Sequence, residues 1–338
     1  MLTRSKKAKP PASKGSSDGG YYYSRLSDEQ KRVYLLFLSC LRNFSPHLKI
    51  SMRPLAEFSL VFNAILLDNP MLFYVSSYTI ASDLYKKKCF ITPVYDYTYS
   101  VASDFARQIK KCMSKFDVLI DKSELDKELY VHDYCLENLR YDNSHPDHAH
   151  SLLGPVLHHA AVCDGISRFA KCAFDYLGVK SLVVGGKAKN PLDMKMERHA
   201  WNIVRIGGKT YHLDITFDMT IMDKIKRYDY FNLPDKEIKK DHVIIDEVPK
   251  CDTSGNDYYA THQMCVDSIN DLERYLEKEL KQGKKHITVK IRNVPYSDDI
   301  TQQVVDIARQ QYIRLFNNIN TIEVTYNSEQ MVYEIMFM

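Results

Sequence analysis

A chain of 338 residues with 45% hydrophobic and 26% charged side chains has the composition of a globular protein with room for two or three packed units. Its net charge of +3 comes from 46 basic and 43 acidic residues, and five basic residues against one acidic fall within residues 1–20. The body therefore carries no basic excess of the kind nucleic-acid binding needs, and 24 tyrosines are expected in core and cleft rather than on a stacking surface.

In chain order, residues 1–22 read as a disordered basic tail, because Pro, Ser and Gly rather than an apolar run follow the basic residues. No secretory signal is expected as written. No stretch approaches the roughly 18 apolar residues of a membrane span, so no span is expected; the missing signal and the fit of a thiol enzyme to a reducing compartment give a cytoplasmic expectation, with export by another route left open. Residues 23–122 read as an N-terminal α/β region. Asp28 to Arg42 is predicted helical with Asp28 as cap. Cys89 to Thr98 contains Pro93, which lacks a ladder donor and predicts an edge or broken strand.

Helices follow around 101–118 and 123–140. In the second, Leu125, Leu129, His132, Leu136 and Leu139 form the inward stripe, with His132 a packed structural residue. Residues 143–159 then carry five histidines, at 145, 148, 150, 158 and 159. The His145-x-x-His148-x-His150 spacing fits no zinc signature, and Pro146-Asp147 suggests an exposed loop. No metal and no cofactor are expected.

From Cys163, apolar residues fall at Ile166, Phe169, Ala170, Ala173, Phe174 and Leu177, offsets that give one buried helical face. Gly178 supplies a C-terminal cap, and Val179 to Val184 reads as a short buried strand. A thiol at the helix start lies near unpaired backbone N–H groups and the positive end of the macrodipole, which favours a thiolate and could serve an oxyanion. Cys172, nine residues on, is about half a turn round the helix and is structural. The eight cysteines include no Cys-x-x-Cys pair, which argues against a zinc ribbon or a thioredoxin-like site.

Two strand-like runs, His199 to Ile206 and Lys209 to Thr216, meet at Gly207-Gly208, a hairpin signal. Pairing Ile206 with Lys209 sets Trp201 opposite Asp214 and His199 opposite Thr216. His199 and Asp214 then share a face as diagonal neighbours roughly 7 Å apart, a gap that long side chains bridge. The carboxylate would fix the imidazole tautomer and leave the other ring nitrogen for a thiol.

These residues resemble the transglutaminase-core superfamily, specifically its bacterial transglutaminase-like, cysteine-peptidase-type members. The resemblance lies in Val162-Cys163-Asp164-Gly165, in Gly185, in His199-Ala-Trp201-Asn202, in Tyr211-His-Leu-Asp214-Ile-Thr216, and in Tyr228-Asp-Tyr-Phe231 before Asp241-His242. Upstream, Lys127 to Tyr134 and Tyr141-Asp142 resemble the helix that precedes this core. It covers about residues 123–245, more faintly Asp68-Asn-Pro70 through Phe73.

The resemblance implies an α+β architecture: a papain- or transglutaminase-like core over 123–250, its nucleophile helix packed on an antiparallel sheet, with flanking α/β units. It implies Cys163 as nucleophile, His199 as general base and acid, and Asp214 as the group orienting His199. Gly165, Trp201 and Asn202 are supporting or cleft-lining candidates. The chemistry implied is acyl transfer on a peptide or glutamine-type amide of a protein or peptide substrate, through a thioester. Ile166 and Ser167 stand where bacterial members often have an aromatic residue and alanine, and Phe217 stands where tryptophan is frequent. Ser151 and His159 are the side-chain oxyanion candidates.

After Cys251 to Asn256, a linker, residues 257–338 read as a small α/β sandwich with one layer of helices. Helices are predicted at Asp267 to Lys281 and Asp298 to Phe316, and strands at His286 to Arg292 and near 320–326 and 331–337. The absence of a calcium-loop pattern favours peptidase or amide hydrolase over transamidase; arylamine acetyltransferase chemistry is a more distant relative. The alternatives are a scaffold that has kept the fold and lost the chemistry, and a metal-binding protein using the histidine loop.

Overall fold

The computed structural model describes residues 19–191, 193–317 and 321–338. The tail expected over 1–22 lies outside the described residues as far as residue 18, and Tyr21–Ser24 then form one helical turn. By contacts the chain divides into two compact units, Met1–Val184 with Ala200–Gly207, and Gly185–His199 with Gly208–Met338. The stretch 123–250 thus contributes to both.

In the first unit, helix Asp28–Arg42 is capped by Ser27 rather than by Asp28. Ser27 has the extended backbone that a cap requires, its hydroxyl accepts from Gln30 N–H, and the Gln30 side chain answers in a capping box. Asp28 stands inside the first turn, where its charge favours the helix dipole. Helix Leu55–Asp68 packs beside it.

The adjoining sheet has the order Leu48–Ser51, Lys88–Tyr95, Val75–Asp83, which makes the proline-bearing strand central rather than an edge. The reason is the shortness of the first strand. It pairs only with Lys88 to Ile91, so Pro93 faces Tyr78 on one side and costs no ladder bond on the other.

Helices Tyr99–Met113, Glu124–Asn138 and Cys163–Leu177 complete this unit. The inward stripe of the second falls on Glu128, Val131, His132, Cys135 and Leu136, with Leu125 and Leu129 only partly buried. Helix Cys163–Leu177 buries the six expected apolar residues, each worth about 1.5–3 kcal/mol for the larger side chains. It ends at Gly178, whose φ of 76° is the left-handed cap.

This helix is fastened to the strands beneath it by one buried amide. Asn202 Nδ2 donates to Ser167 O at 3.0 Å and to Leu182 O at 3.3 Å, linking the helix to strand Lys180–Lys189 and to its own strand, Met196–Ile206. The architecture is α+β, with the helix that carries Cys163 lying on strands.

The five-stranded sheet has the order His242–Ile244, Lys180–Lys189, Met196–Ile206, Lys209–Leu213, Phe231–Leu233. In the second unit, His242–Ile244 runs antiparallel to residues 186–188, and Lys209–Leu213 antiparallel to Phe231–Leu233. The Gly207-Gly208 turn has φ of 58° and 81°, values that only glycine adopts cheaply.

The strand expected through Thr216 stops at Leu213, and helix Ile215–Ile221 begins two residues later. Isoleucine and threonine at 215–216 carry strand propensity, but Asp214 accepts Phe217 N–H at 3.1 Å and starts a helix instead. Thr216 therefore lies in a helix and not in the strand expected opposite His199.

The C-terminal part of the second unit is a four-stranded sheet in the order Cys265–Val266, His286–Ile291, Val332–Phe337, Ile322–Asn327. Its first pair is parallel and the others antiparallel. Helices Ile269–Lys281 and Asp298–Phe316 cover one face, where Leu272, Leu276, Val304 and Ala308 meet Val289 and Ile335. The two-residue strand at 265–266 is too short to leave a pattern in the sequence.

Candidate functional site

Cys163 is the first residue of its helix, after Val162 in extended conformation, and is partly exposed. Val162 offers no capping side chain, and the first helical bond runs from Ile166 N to Val162 O. The N–H groups of residues 163–165 thus have no partner within the helix. Gly165 is required by packing: a Cβ there would stand 2.2 Å from Ala149 O and 2.8 Å from Ala161 Cβ. This close approach seats the helix start against the segment 149–161.

The Ser167 hydroxyl, buried one turn on, lies 2.8 Å from Cys163 O and 3.0 Å from Ala200 O, holding the residue after His199 against the Cys163 helix. Trp201 and Asn202 are interior residues at 1% exposure each, so both act in packing. Ser151 Oγ donates to His148 O and accepts from Leu153 N–H, a local turn. His159 occupies a left-handed position at φ 53°, and its carbonyl accepts Arg140 N–H.

In the second unit, His199 Nε2 lies 2.6 Å from Asp214 Oδ2. The Asp214 carboxylate is fully buried, and its other oxygen caps the 215–221 helix. The proximity expected from the hairpin is there, but its cause is different: Asp214 projects from a helix cap at the strand end.

A third residue shares that carboxylate. His242 Nε2 lies 3.0 Å from the same Asp214 Oδ2, and its Nδ1 lies 2.5 Å from Asp241 Oδ1. Asp241 Oδ2 accepts Tyr230 O–H at 2.6 Å and Gln330 Nε2–H at 3.3 Å. Both ring nitrogens of His242 thus face carboxylate oxygens, an arrangement that favours the imidazolium. Burial alone pulls its acidity the other way, but the hydrogen bonds to Asp214 and Asp241 win and its pKa is raised. Burial likewise pushes the Asp214 carboxyl up, yet His199 and then His242 hold it well below the usual carboxylate range. The Phe217 ring lies 4.5 Å from His199 and 4.8 Å from His242 by centroid, covering the carboxylate they share.

No role for His242, Asp241 or Tyr230 is legible from the sequence alone. The Asp-His pair at 241–242 is the one local signal, and it acquires meaning only when strand 242–244 pairs beside residues 186–188.

Burial pushes Cys172 and Cys135 far up, Cys251 up to about 12 and Cys265 to about 11, and raises Cys40 and Cys112. In the histidine loop, the His145 and His158 rings stack at 3.9 Å, and His148 Nδ1 lies 2.7 Å from His158 Nε2.

Among the described residues, metal-type donors converge within 4.8 Å in two groups: His199, Asp214 and His242, and His212, Asp235 and Cys251. In the first, both imidazole nitrogens lie against the same oxygen of a fully buried carboxylate.

No family model matches the chain, and no curated protein matches it. Among solved structures, a TGase is 17% identical, with a TM-score of 0.29 and 54% of each chain covered. A protein described as a candidate cysteine protease from Cytophaga hutchinsonii is 15% identical, with a TM-score of 0.26, 41% of this chain covered and 61% of the other. The chain thus spans between half and two thirds of the length of either. At these TM-scores neither likeness bears on the chemistry.

Proposed function

We propose that this protein is a cysteine-dependent acyl-transfer enzyme acting on peptide or glutamine-type amides, with hydrolysis favoured over transfer to an amine. Cys163 is the nucleophile, His199 the base and acid, and Asp214 the residue that orients His199. The observation that carries this is the 2.6 Å contact between His199 Nε2 and a fully buried Asp214 carboxylate. It keeps the ring proton on Nε2, so Nδ1 bears the basic lone pair. Further support is local: Ala200, next in the chain after His199, is tied through Ser167 to the helix that Cys163 begins.

In the reaction, Nδ1 takes the thiol proton, and the sulfur attacks the amide carbon. The carbonyl oxygen becomes an oxyanion near the backbone N–H groups of the first helical turn. Its collapse breaks the C–N bond, and the His199 imidazolium gives its proton to the departing amine. A thioester remains. Water, deprotonated at Nδ1, attacks it, releases the acid and restores the thiol.

The test is alkylation of the native protein with limiting iodoacetamide across pH, with the labelled cysteines mapped by mass spectrometry. Rapid labelling of Cys163 well below pH 8, lost in His199→Ala, supports the activated thiol. Slow labelling spread over several cysteines overturns it. Product analysis with and without an added primary amine then separates hydrolysis from transamidation.

A further inference from the structure

The second unit gathers a thiol, an imidazole and a carboxylate in one cluster. His212 belongs to strand Lys209–Leu213, Asp235 begins the short helix Asp235–Ile238, and Cys251 lies in the segment after strand His242–Ile244. Their donor atoms all lie within 4.8 Å of one another. His212 Nε2 is 2.9 Å from Asp235 Oδ1, and Cys251 N–H donates to the same oxygen at 3.1 Å. Asp235 N–H donates back to Cys251 O at 2.5 Å, so two reciprocal bonds fix the thiol-bearing residue beside the carboxylate. The His212 ring and Cys251 are fully buried, whereas Asp235 keeps 27% side-chain exposure and opens the cluster to solvent. Lys239 Nζ, 2.9 Å from Asp235 Oδ2, steadies the far carboxylate oxygen.

We propose that His212, Asp235 and Cys251 form a binding site for a zinc-type divalent cation, with water completing the coordination on the exposed side of Asp235. The donor set argues for this class. One sulfur, one nitrogen and one oxygen suit a borderline-soft tetrahedral ion, whereas magnesium and calcium take oxygen alone. The spacing fits as well. Zinc bonds of about 2.0–2.3 Å at tetrahedral angles put donors roughly 3.5 Å apart, so the cluster needs about 1 Å of adjustment. A thiol buried only for packing sits among apolar atoms; the Cys251 Sγ has an imidazole, a carboxylate and the Pro249 carbonyl at 3.8 Å around it. Binding is balanced by proton loss: Cys251 releases its thiol proton to solvent and coordinates as thiolate. His212 shifts its ring proton from Nε2 to Nδ1 and gives its Nε2 lone pair. The ion clips together strand 209–213, the turn at Asp235 and the 251 segment, and the site is independent of the proposed acyl transfer.

The full chain, stripped with chelator and kept reduced, is titrated with Co²⁺. The expected result is one cobalt per chain, a thiolate-to-cobalt charge-transfer band in the near ultraviolet, four-coordinate visible bands, and displacement of all of them by Zn²⁺. Cys251→Ser loses the charge-transfer band while its far-ultraviolet circular dichroism is unchanged, and Cys163→Ala retains it. Should Cys251→Ser fail to fold, His212→Gln serves, with cobalt affinity lowered at least about tenfold. No charge-transfer band in the unmodified chain overturns the site. So does a band that survives Cys251→Ser, disappears in Cys163→Ala, or keeps full affinity in His212→Gln.

Discussion

Replacing His242 by glutamine tests whether the two carboxylates are held together by a buried cation. The wild-type ring is fully buried and makes contacts of 2.5 Å to Asp241 and 3.0 Å to Asp214. Removing one partner of a buried ion pair costs about 3–5 kcal/mol, because the remaining charge is left uncompensated. The glutamine amide restores one neutral hydrogen bond worth about 1 kcal/mol. The net expectation is about 2–4 kcal/mol of destabilisation, within the about 5–15 kcal/mol typical of a folded domain, so the variant should still fold. Adding Asp241→Asn removes a charge that His242→Gln stranded, and the double variant should therefore be less destabilised than the sum of the singles by about 1–3 kcal/mol.

The assay is urea unfolding at pH 7 followed by circular dichroism, on wild type, both singles and the double. Additivity within about 0.5 kcal/mol, or a His242→Gln cost below that, would refute the cation-between-carboxylates account. The pH dependence gives a second check. The His242 pKa is raised in the folded state, so its contribution is fully present below its unfolded value of 6.5 and is lost as pH rises through the folded value. Wild type should lose stability on the alkaline side of pH 6.5, and His242→Gln should flatten that limb.

Cys163→Ala should abolish turnover with melting behaviour intact, while Cys172→Ser, at a buried thiol whose pKa is pushed far up, should leave iodoacetamide labelling nearly unchanged; equal labelling of the two sulfurs would remove the basis for assigning the nucleophile. Gly165→Ala drives a methyl group into the Ala149 carbonyl, a backbone atom with no slack, and should cost about 1–3 kcal/mol by thermal unfolding. A neutral result there would mean that the helix start is not packed as described. Asn202→Leu leaves the carbonyls of Ser167 and Leu182 without that donor and should destabilise by about 1–3 kcal/mol, with a larger effect expected on turnover as the Cys163 helix loosens.

Local sequence carries strong signals where the physics is local. The period of Ile166, Phe169, Ala173, Phe174 and Leu177, closed by Gly178, defines a helix starting at Cys163 whatever surrounds it, and Gly207-Gly208 defines a tight turn. His199 and Asp214 were legible because both flank that turn at short range. The mechanism of their meeting was not. Propensity at Ile215-Thr216 favours a strand, and only the capping bond from Phe217 N–H to Asp214 decides for a helix. Pro93 failed in the same way, since a proline's cost depends on how far the neighbouring strand extends, and that neighbour is Leu48–Ser51, some forty residues earlier.

Charge compensation inside the second unit was wholly a tertiary decision. Asp214, Tyr230, Asp241, His242 and Gln330 are ordinary polar residues in the sequence, spread over more than a hundred positions. Burying any of them singly would be unfavourable. They are affordable only together, once residues 186–188 pair with His242–Ile244 and each donor finds an acceptor. Spacing along the chain was enough for the helix that starts at the thiol and for the turn between the imidazole and the carboxylate. The tertiary structure alone decided which charge stands behind that carboxylate, because compensation of buried charges depends on distances that no spacing along the chain encodes.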